Sequence, residues 1–322
     1  MQADFSSDIG LAERIKEKGR ICVFAPWPIF TVTIERHATG ADDVYFHAGG
    51  QAVWVARMVA GLNGHPILVG PFGGEAKTLL EALVASEGIE LRCVPVKASN
   101  GGYVDDRREG TRLRLATVAP PTLDRHEADD LYNATLAEAL RCGTAVLTGL
   151  PDKEVLPTDF FHRLLKDLRA NDVRVVADVA GPVLEAIETG LTLLKISHEE
   201  LNEAGLAKDD SPAELFAAMD KLRGKAENVV VSRAGAGSLA RFGDRHFEAK
   251  GPEIHSRDHT GAGDSMTAAL AVALAAGLDP ADALRLATAA GAMNVTRGGR
   301  GTGRLRDIEV LAARVEIKEI EP

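Results

Sequence analysis

The chain is poor in cysteine, in long apolar runs and in basic residues, and each shortage excludes something. Its three cysteines, Cys22, Cys93 and Cys142, stand far apart and match no disulfide or metal-ligand spacing, so a reduced cytoplasm is the expected setting. No apolar run approaches the roughly 20 residues that cross a bilayer. The first twenty residues mix acids and bases (Asp4, Asp8, Glu13, Lys16, Lys18) where a secretory leader would carry an apolar core. With 47 Asp and Glu against 37 Lys and Arg, the net charge is −10. Nucleic acid and anionic membranes reward basic surfaces, so neither is expected as a partner. No Gly-x-Gly-x-x-Gly follows the first apolar segment, and a dinucleotide-dependent oxidoreductase therefore finds no support.

What the chain does have is bulk: 322 residues, 45% hydrophobic and 26% charged, enough for one large domain with an appendage. Its most telling stretch is Asp258-His259-Thr260-Gly261-Ala262-Gly263-Asp264-Ser265-Met266, which opens into an Ala/Leu-rich helix running to about Gly277. Small residues entering a helix leave backbone N–H groups unpaired, and the helix dipole adds positive potential, so the entrance suits an anion such as phosphate. Asp264 places a carboxylate at the mouth of that cradle. A base that takes a hydroxyl proton while the loop holds the phosphoryl group explains it. A tight turn with Asp264 as a helix cap is the plainer reading of Gly-Ala-Gly alone.

Residues 20–25 read as a short buried strand, and residues 27–35 as an extended segment with alternating β-branched residues. His47-Ala48-Gly49-Gly50-Gln51-Ala52-Val53-Trp54 then starts a helix running to Gly64. Residues 66–70 form a strand and 75–88 a helix. Segments 91–96, 102–105 and 111–118 cluster as strands without helices between them, which suggests a separate small sheet. Arg107, Arg108, Arg112 and Arg114 lie there, as a charged strand edge or as a grip for an acceptor phosphate. From residue 127 onward helices (127–142, 158–170, 198–204) alternate with strands (144–148, 173–179, 191–196, 228–232). This pattern predicts a mostly parallel sheet with helices on both faces and ligands beyond the carboxyl ends of its strands.

With the Asp-x-x-Gly-Ala-Gly-Asp string in view, the chain resembles the ribokinase-like carbohydrate kinases, also called the PfkB family. Thr296-Arg297-x-Gly, Thr148-Gly149-Leu150-Pro151 and Lys195-Ile196-Ser197-His198-Glu199-Glu200-Leu201 lean toward the hexose-phosphate branch, that of the 1-phosphofructokinases and tagatose-6-phosphate kinases. The resemblance implies an α/β fold, a three-layer sandwich with a mostly parallel central sheet and a small β-sheet lid. Residues 1–30, 48–90 and 120–322 would form the nucleotide-binding and catalytic domain, and residues 31–47 and 91–119 the lid. It implies that Asp264 is the general base, with an anion hole at Gly261, Ala262 and Gly263. ATP would meet Lys195, Ser232, Gly235, Gly237, Thr260 and Asn294. Mg²⁺ would be organised by Glu200, and a monovalent cation would lie near Asp258. A sugar-like acceptor would meet Thr31, Gly49, Gly50, Gln51 and Trp54, and homodimers would form through the lids.

Three of those acceptor positions depart from the family pattern. Thr31 stands where an acidic residue holds sugar hydroxyls, Gln51 where the phosphofructokinase-like branch has Lys, and Trp54 where it has Asn. Ser197 replaces Asn at the Lys195 station. The expected reaction is ATP-dependent phosphorylation of a sugar or sugar phosphate. A nucleoside or other polyol kinase, and a non-catalytic sugar or nucleotide sensor, are the alternatives; intact Asp264 and its glycines weigh against a sensor. Trp54 reads equally as a core aromatic on a helix.

Overall fold

The strands form two sheets, and those at the centre of the larger one are apolar nearly throughout. The structure, a computed structural model, describes residues 10–150, 155–157, 159–254, 259–296 and 300–320. Along the chain it runs α1 (Leu11–Lys18), β1 (Arg20–Phe24), β2 (Ile29–Arg36), β3 (Asp42–Gly49), α2 (Gln51–Gly61), β4 (His65–Gly73), α3 (Gly74–Ser86), β5 (Glu90–Val96), β6 (Gly102–Asp106) and β7 (Leu113–Val118). It continues through α4 (Arg125–Cys142), β8 (Thr144–Thr148), α5 (Asp159–Ala170), β9 (Arg174–Asp178), α6 (Gly181–Ala186), β10 (Leu191–Ser197), α7 (His198–Glu203), α8 (Pro212–Lys221) and β11 (Ala226–Ser232). It closes with β12 (Ser238–Phe242), β13 (Arg245–Lys250), α9 (Ala262–Ala276), α10 (Pro280–Val295), α11 (Leu305–Ala312) and β14 (Glu316–Ile320).

The large sheet has the order β14-β13-β12-β11-β10-β9-β8-β1-β4-β5. Strands β11 through β5 are parallel, while β12, β13 and β14 add an antiparallel edge. Alternate residues of the central strands feed two cores. Ile21 and Val23 of β1 face α2, α9 and α10, whereas Cys22 and Phe24 face α4 and α5. Helices on both faces make the three-layer sandwich expected, because strands buried on two sides need two apolar covers. Among the described residues no helix is long and apolar enough to cross a membrane.

The small sheet has the order β3-β2-β6-β7. One expectation is corrected here. β5, assigned to the lid from sequence, pairs in parallel with β4 along Ile67↔Glu90 to Gly73↔Val96, so it belongs to the large sheet and the lid begins again only at β6. As an edge strand β5 is half polar (Glu90, Arg92), and its local pattern therefore resembles that of the lid strands.

In the lid, cross-strand partners share a face: Val32 sits opposite Phe46 and Val104, and Ile34 opposite Val44. That face points outward and leaves Val44, Phe46, Leu113 and Val118 roughly half exposed or more. The other face carries Thr31, Thr33, Tyr103 and Asp105, with Thr33 and Asp105 buried.

Candidate active site

The site is built where β8, β9, β10 and β11 end and α9 begins. Gly261 caps α9 in the left-handed region (φ 87°), which a side chain would adopt only with strain. The turn is locked from behind: Ser265 Oγ donates to the Gly261 carbonyl at 2.8 Å and Thr267 Oγ1 to the Gly263 carbonyl at 3.1 Å. Of the amides assigned to the anion hole, that of Ala262 donates to the His259 carbonyl at a long 3.3 Å.

Asp264 follows in the first helical turn and is buried. Burial and the nearby charge of Asp178 push its carboxyl up to about 7, against the opposing pull of Lys195, Arg300 and a Gln51 hydrogen bond. A carboxyl poised there is half ionised near neutrality and able to take a proton.

Lys195 near the end of β10 is buried, and its Nζ lies 3.3 and 3.4 Å from the two carboxylate oxygens of Asp178. Thr267 Oγ1 lies 2.8 Å from the same carboxylate, which shares that hydroxyl's one proton with the Gly263 carbonyl. Burial disfavours the ammonium, yet Asp178, Asp264 and Glu200 outweigh it and hold Lys195 above the ordinary lysine range. A Cβ on Gly263 would stand 2.5 Å from Lys195 Nζ, so only glycine lets that cation lie against the turn.

The other expected nucleotide-side residues are distributed around this centre. Asn294 is buried; its Nδ2 donates to the Thr260 carbonyl at 2.9 Å and its Oδ1 accepts from Gly301 N–H at 2.8 Å. It therefore shapes the entrance to α9 by its amide. Ser232 ends β11, in register with Ser197, and its carbonyl lies 3.1 Å from His198 Nδ1. Gly237 (φ 86°) approaches the Ala249 carbonyl so closely that a Cβ would fall 2.1 Å from it, while Gly235 stands exposed in a single 3₁₀ turn.

Glu200 forms a reciprocal capping box with Ser197, its Oε2 accepting from Ser197 N–H and Oγ at 2.8 Å each. Its Oε1 lies outside that box. One carboxylate oxygen, with nucleotide phosphates and water, suits Mg²⁺. Among the described residues no group of three acidic, His or Cys side chains forms a preset cage. Asp258 lies outside the described residues, as do residues 297–299.

On the acceptor side, Gly49, Gly50 and Gln51 come together around a narrow crevice also lined by Trp27, Pro28 and Thr148, and Thr31 Oγ1 lies 3.4 Å from where a Cβ on Gly49 would stand. Gly50 (φ 98°) lets the chain turn from β3 into α2. Gln51 braces the site, its Oε1 accepting from Gly149 N–H at 3.0 Å and its Nε2 donating to the Asp178 carbonyl at 3.3 Å. Trp54 is half-buried beneath Arg300, whose guanidinium carbon lies 4.8 Å from the ring centroid. Lid arginines Arg108, Arg112 and Arg114 pair with Asp42, Asp106 and Asp105, as a charged strand edge would.

The sequence pattern of the pfkB family carbohydrate kinases matches residues 31–306. The chain belongs to the PfkB family. It is a phosphotransferase with an alcohol group as acceptor. This PfkB kinase is 30% identical over 268 residues to the ATP-dependent 6-phosphofructokinase isozyme 2 of Mycobacterium tuberculosis, covering 82% of this chain and 78% of the relative. It is 29% identical over 308 residues to the bifunctional protein HldE of Nitrobacter winogradskyi, covering 91% of this chain and 59% of that one. Phosphofructokinase-2 from Escherichia coli, solved in complex with potassium, shares the fold at a TM-score of 0.79 and 22% identity, over 92% of this chain and 98% of that one.

Two residues in this PfkB kinase's site were given no individual role from sequence. Asp178 is the direct register partner of Lys195 on the neighbouring parallel strand, so a buried lysine seeking a counter-charge was the available signal. Arg300 follows a glycine cluster and carries no local signal of its place.

Proposed function

We propose that this chain transfers the γ-phosphoryl group of ATP to a hydroxyl of a sugar or sugar phosphate. Asp264 accepts the hydroxyl proton, and the Gly261-Ala262-Gly263 entrance of α9 receives the phosphoryl oxygens. The new bond joins the acceptor oxygen to the γ-phosphorus. The bond from that phosphorus to the β–γ bridging oxygen breaks, and its electron pair leaves on ADP. The observation that carries the reading is Asp264 itself: a buried carboxyl raised to about 7, at a helix N-terminus, beside a buried lysine. A preorganised dipole and a cation stabilise developing charge where water is excluded, and there they count most.

Lys195 supports the turn from below, and Asn294 and Gln51 hold its two flanks. Mg²⁺ would neutralise phosphate charge when bound, with Glu200 the residue to hold it. A monovalent cation near Asp258 belongs to the same reading, supported by the family and by the potassium complex of the Escherichia coli relative. The outward apolar face of the lid, with Val44, Phe46, Leu113 and Val118, supports a homodimer formed through the lids.

A nucleoside or another polyol is the second reading of the acceptor. What favours it is Gln51, a neutral amide bonded to the Gly149 N–H, the Asp178 carbonyl and the Asp264 carboxyl, where a lysine would have met an acceptor phosphate. The test is acceptor-dependent ADP release across a panel of sugars, sugar phosphates, nucleosides and polyols. Turnover with a hexose phosphate supports the first reading, and turnover with nucleosides or polyols alone supports the second. Binding of ATP without ADP release in any well would identify a sensor.

A further inference from the structure

We propose that Arg300, carried on the face of Trp54, is a catalytic cation that meets the transferring phosphoryl group at the mouth of the Gly261 turn. This rests on the phosphotransfer reading and adds to it a residue and a role.

The placement is over-determined. The backbone carbonyl of Arg300 accepts from Arg57 Nη1 at 2.7 Å, and Arg57 is itself held by Glu87 and by the Ala48 carbonyl. The next residue, Gly301 (φ 66°), donates its N–H to Asn294 and passes so close to α2 that a Cβ would fall 2.2 Å from the Trp54 carbonyl. Asn294 at the same time holds the Thr260 carbonyl. One amide thus fastens both the Arg300 loop and the entrance to α9, and a Cβ on Gly261 would stand 3.3 Å from the Cβ of Arg300.

On this frame the guanidinium carbon stands over the Trp54 ring, 4.8 Å from its centroid, a cation–π contact. The ring quadrupole attracts the charge of the guanidinium, while phosphate oxygens are recognised through its N–H groups, so one arginine can serve both. The charge reaches the reacting centre, since Arg300 and Lys195 are the two cations that oppose the upward push on Asp264. The Lys195 ammonium lies against Gly263, and the Cβ of Arg300 lies beside Gly261. Trp54 then has a function that neither of its sequence readings supplied: it is the platform that positions the arginine. In the transfer step Arg300 exchanges no atom; it contacts the phosphoryl oxygens while the hydroxyl proton passes to Asp264.

The test compares Arg300→Met, Trp54→Ala, Trp54→Phe and the double Arg300→Met/Trp54→Ala, each with saturating ATP and an acceptor found by the panel. Arg300→Met is expected to lower kcat by about 10²–10³-fold, somewhat below the effect of an arginine finger, with acceptor KM within about threefold of the parent. Its acidic limb in the pH–rate profile should move to higher pH, because Asp264 loses a favourable charge; Asp178, Lys195 and Gln51 still face that carboxyl. Trp54→Ala should show a comparable loss, Trp54→Phe a smaller one, and the double variant no more than the worse single, since the two act as a unit.

A parent-like kcat in Arg300→Met overturns the assignment, and so does a loss confined to acceptor KM, which would make Arg300 an acceptor-reading residue. Lowered activity with an unmoved pH limb and a lowered Tm overturns it in favour of a purely structural clamp. A parent protein that binds ATP and releases no ADP with any acceptor overturns the phosphotransfer reading first, which separates the two failures.

Discussion

Lys195 and Gly263 share one small volume: the ammonium nitrogen lies 2.5 Å from where a Cβ on residue 263 would stand. Gly263 has no need of positive φ, so its lack of a side chain serves the approach of the cation rather than a turn. Gly263→Ala would gain up to about 1 kcal/mol in helix propensity, yet its methyl would displace the buried ammonium from Asp178 and from the turn. We expect stability within about 1 kcal/mol of the parent and a kcat lowered at least about tenfold, measured by urea melts and steady-state ADP release. Unchanged turnover would show that the position of Lys195 is immaterial.

Lys195→Met tests the same pair from the other side. It removes the cation and leaves the Asp178 carboxylate buried with Thr267 as its remaining donor. Breaking a buried pair by deleting one partner typically costs about 3–5 kcal/mol. A lower urea midpoint with unchanged slope is the expected result. A variant as stable as the parent would mean that the pair contributes little.

The elevated Asp264 carboxyl makes two pH predictions with one origin. Activity requires the ionised base, so kcat/KM should rise with pH through an apparent value of about 7. Stability should move the opposite way. Between the ordinary carboxyl value and about 7 the folded state holds a proton that the unfolded chain has released, so this group's contribution is lost as pH rises through that window. Asp264→Asn should flatten that slope in a series of melts from pH 4 to pH 8. A slope that persists in the variant would place its source elsewhere.

The lid face gives an assembly prediction. Phe46→Glu with Leu113→Glu puts two charges on the outward apolar surface. Sedimentation at micromolar concentration should show a dimer for the parent and a monomer for the variant, with the fold intact by circular dichroism. Equal masses for the two proteins would remove the lid from the assembly.

Much of this was legible in the chain. Strands β8 and β10, with their apolar runs, and the glycine entrance to α9 lie within about a residue of where pattern and turn chemistry put them. What escaped was non-local. β5 carries a half-polar pattern, and only its pairing with β4 shows which sheet it joins. Strands β13 and β14 are short and partly exposed, and they exist as strands through one another. Long-range bonds of the site residues were hidden for the same reason. Gln51 and Asn294 occupy positions that the resemblance gives to ligands, and their amides also bond backbone from distant segments, which the sequence does not report. The cation–π contact of Arg300 with Trp54 joins residues nearly 250 positions apart, which no spacing rule reports.

The most direct test of the whole account is steady-state turnover of Asp264→Asn beside the parent, with ATP and the acceptor identified by the panel. The side chains are nearly equal in size, and the replacement removes a buried charge, so the fold should hold and acceptor KM should stay close to the parent value. The account predicts a kcat about 10²–10⁴-fold lower. Turnover at the parent rate would contradict it.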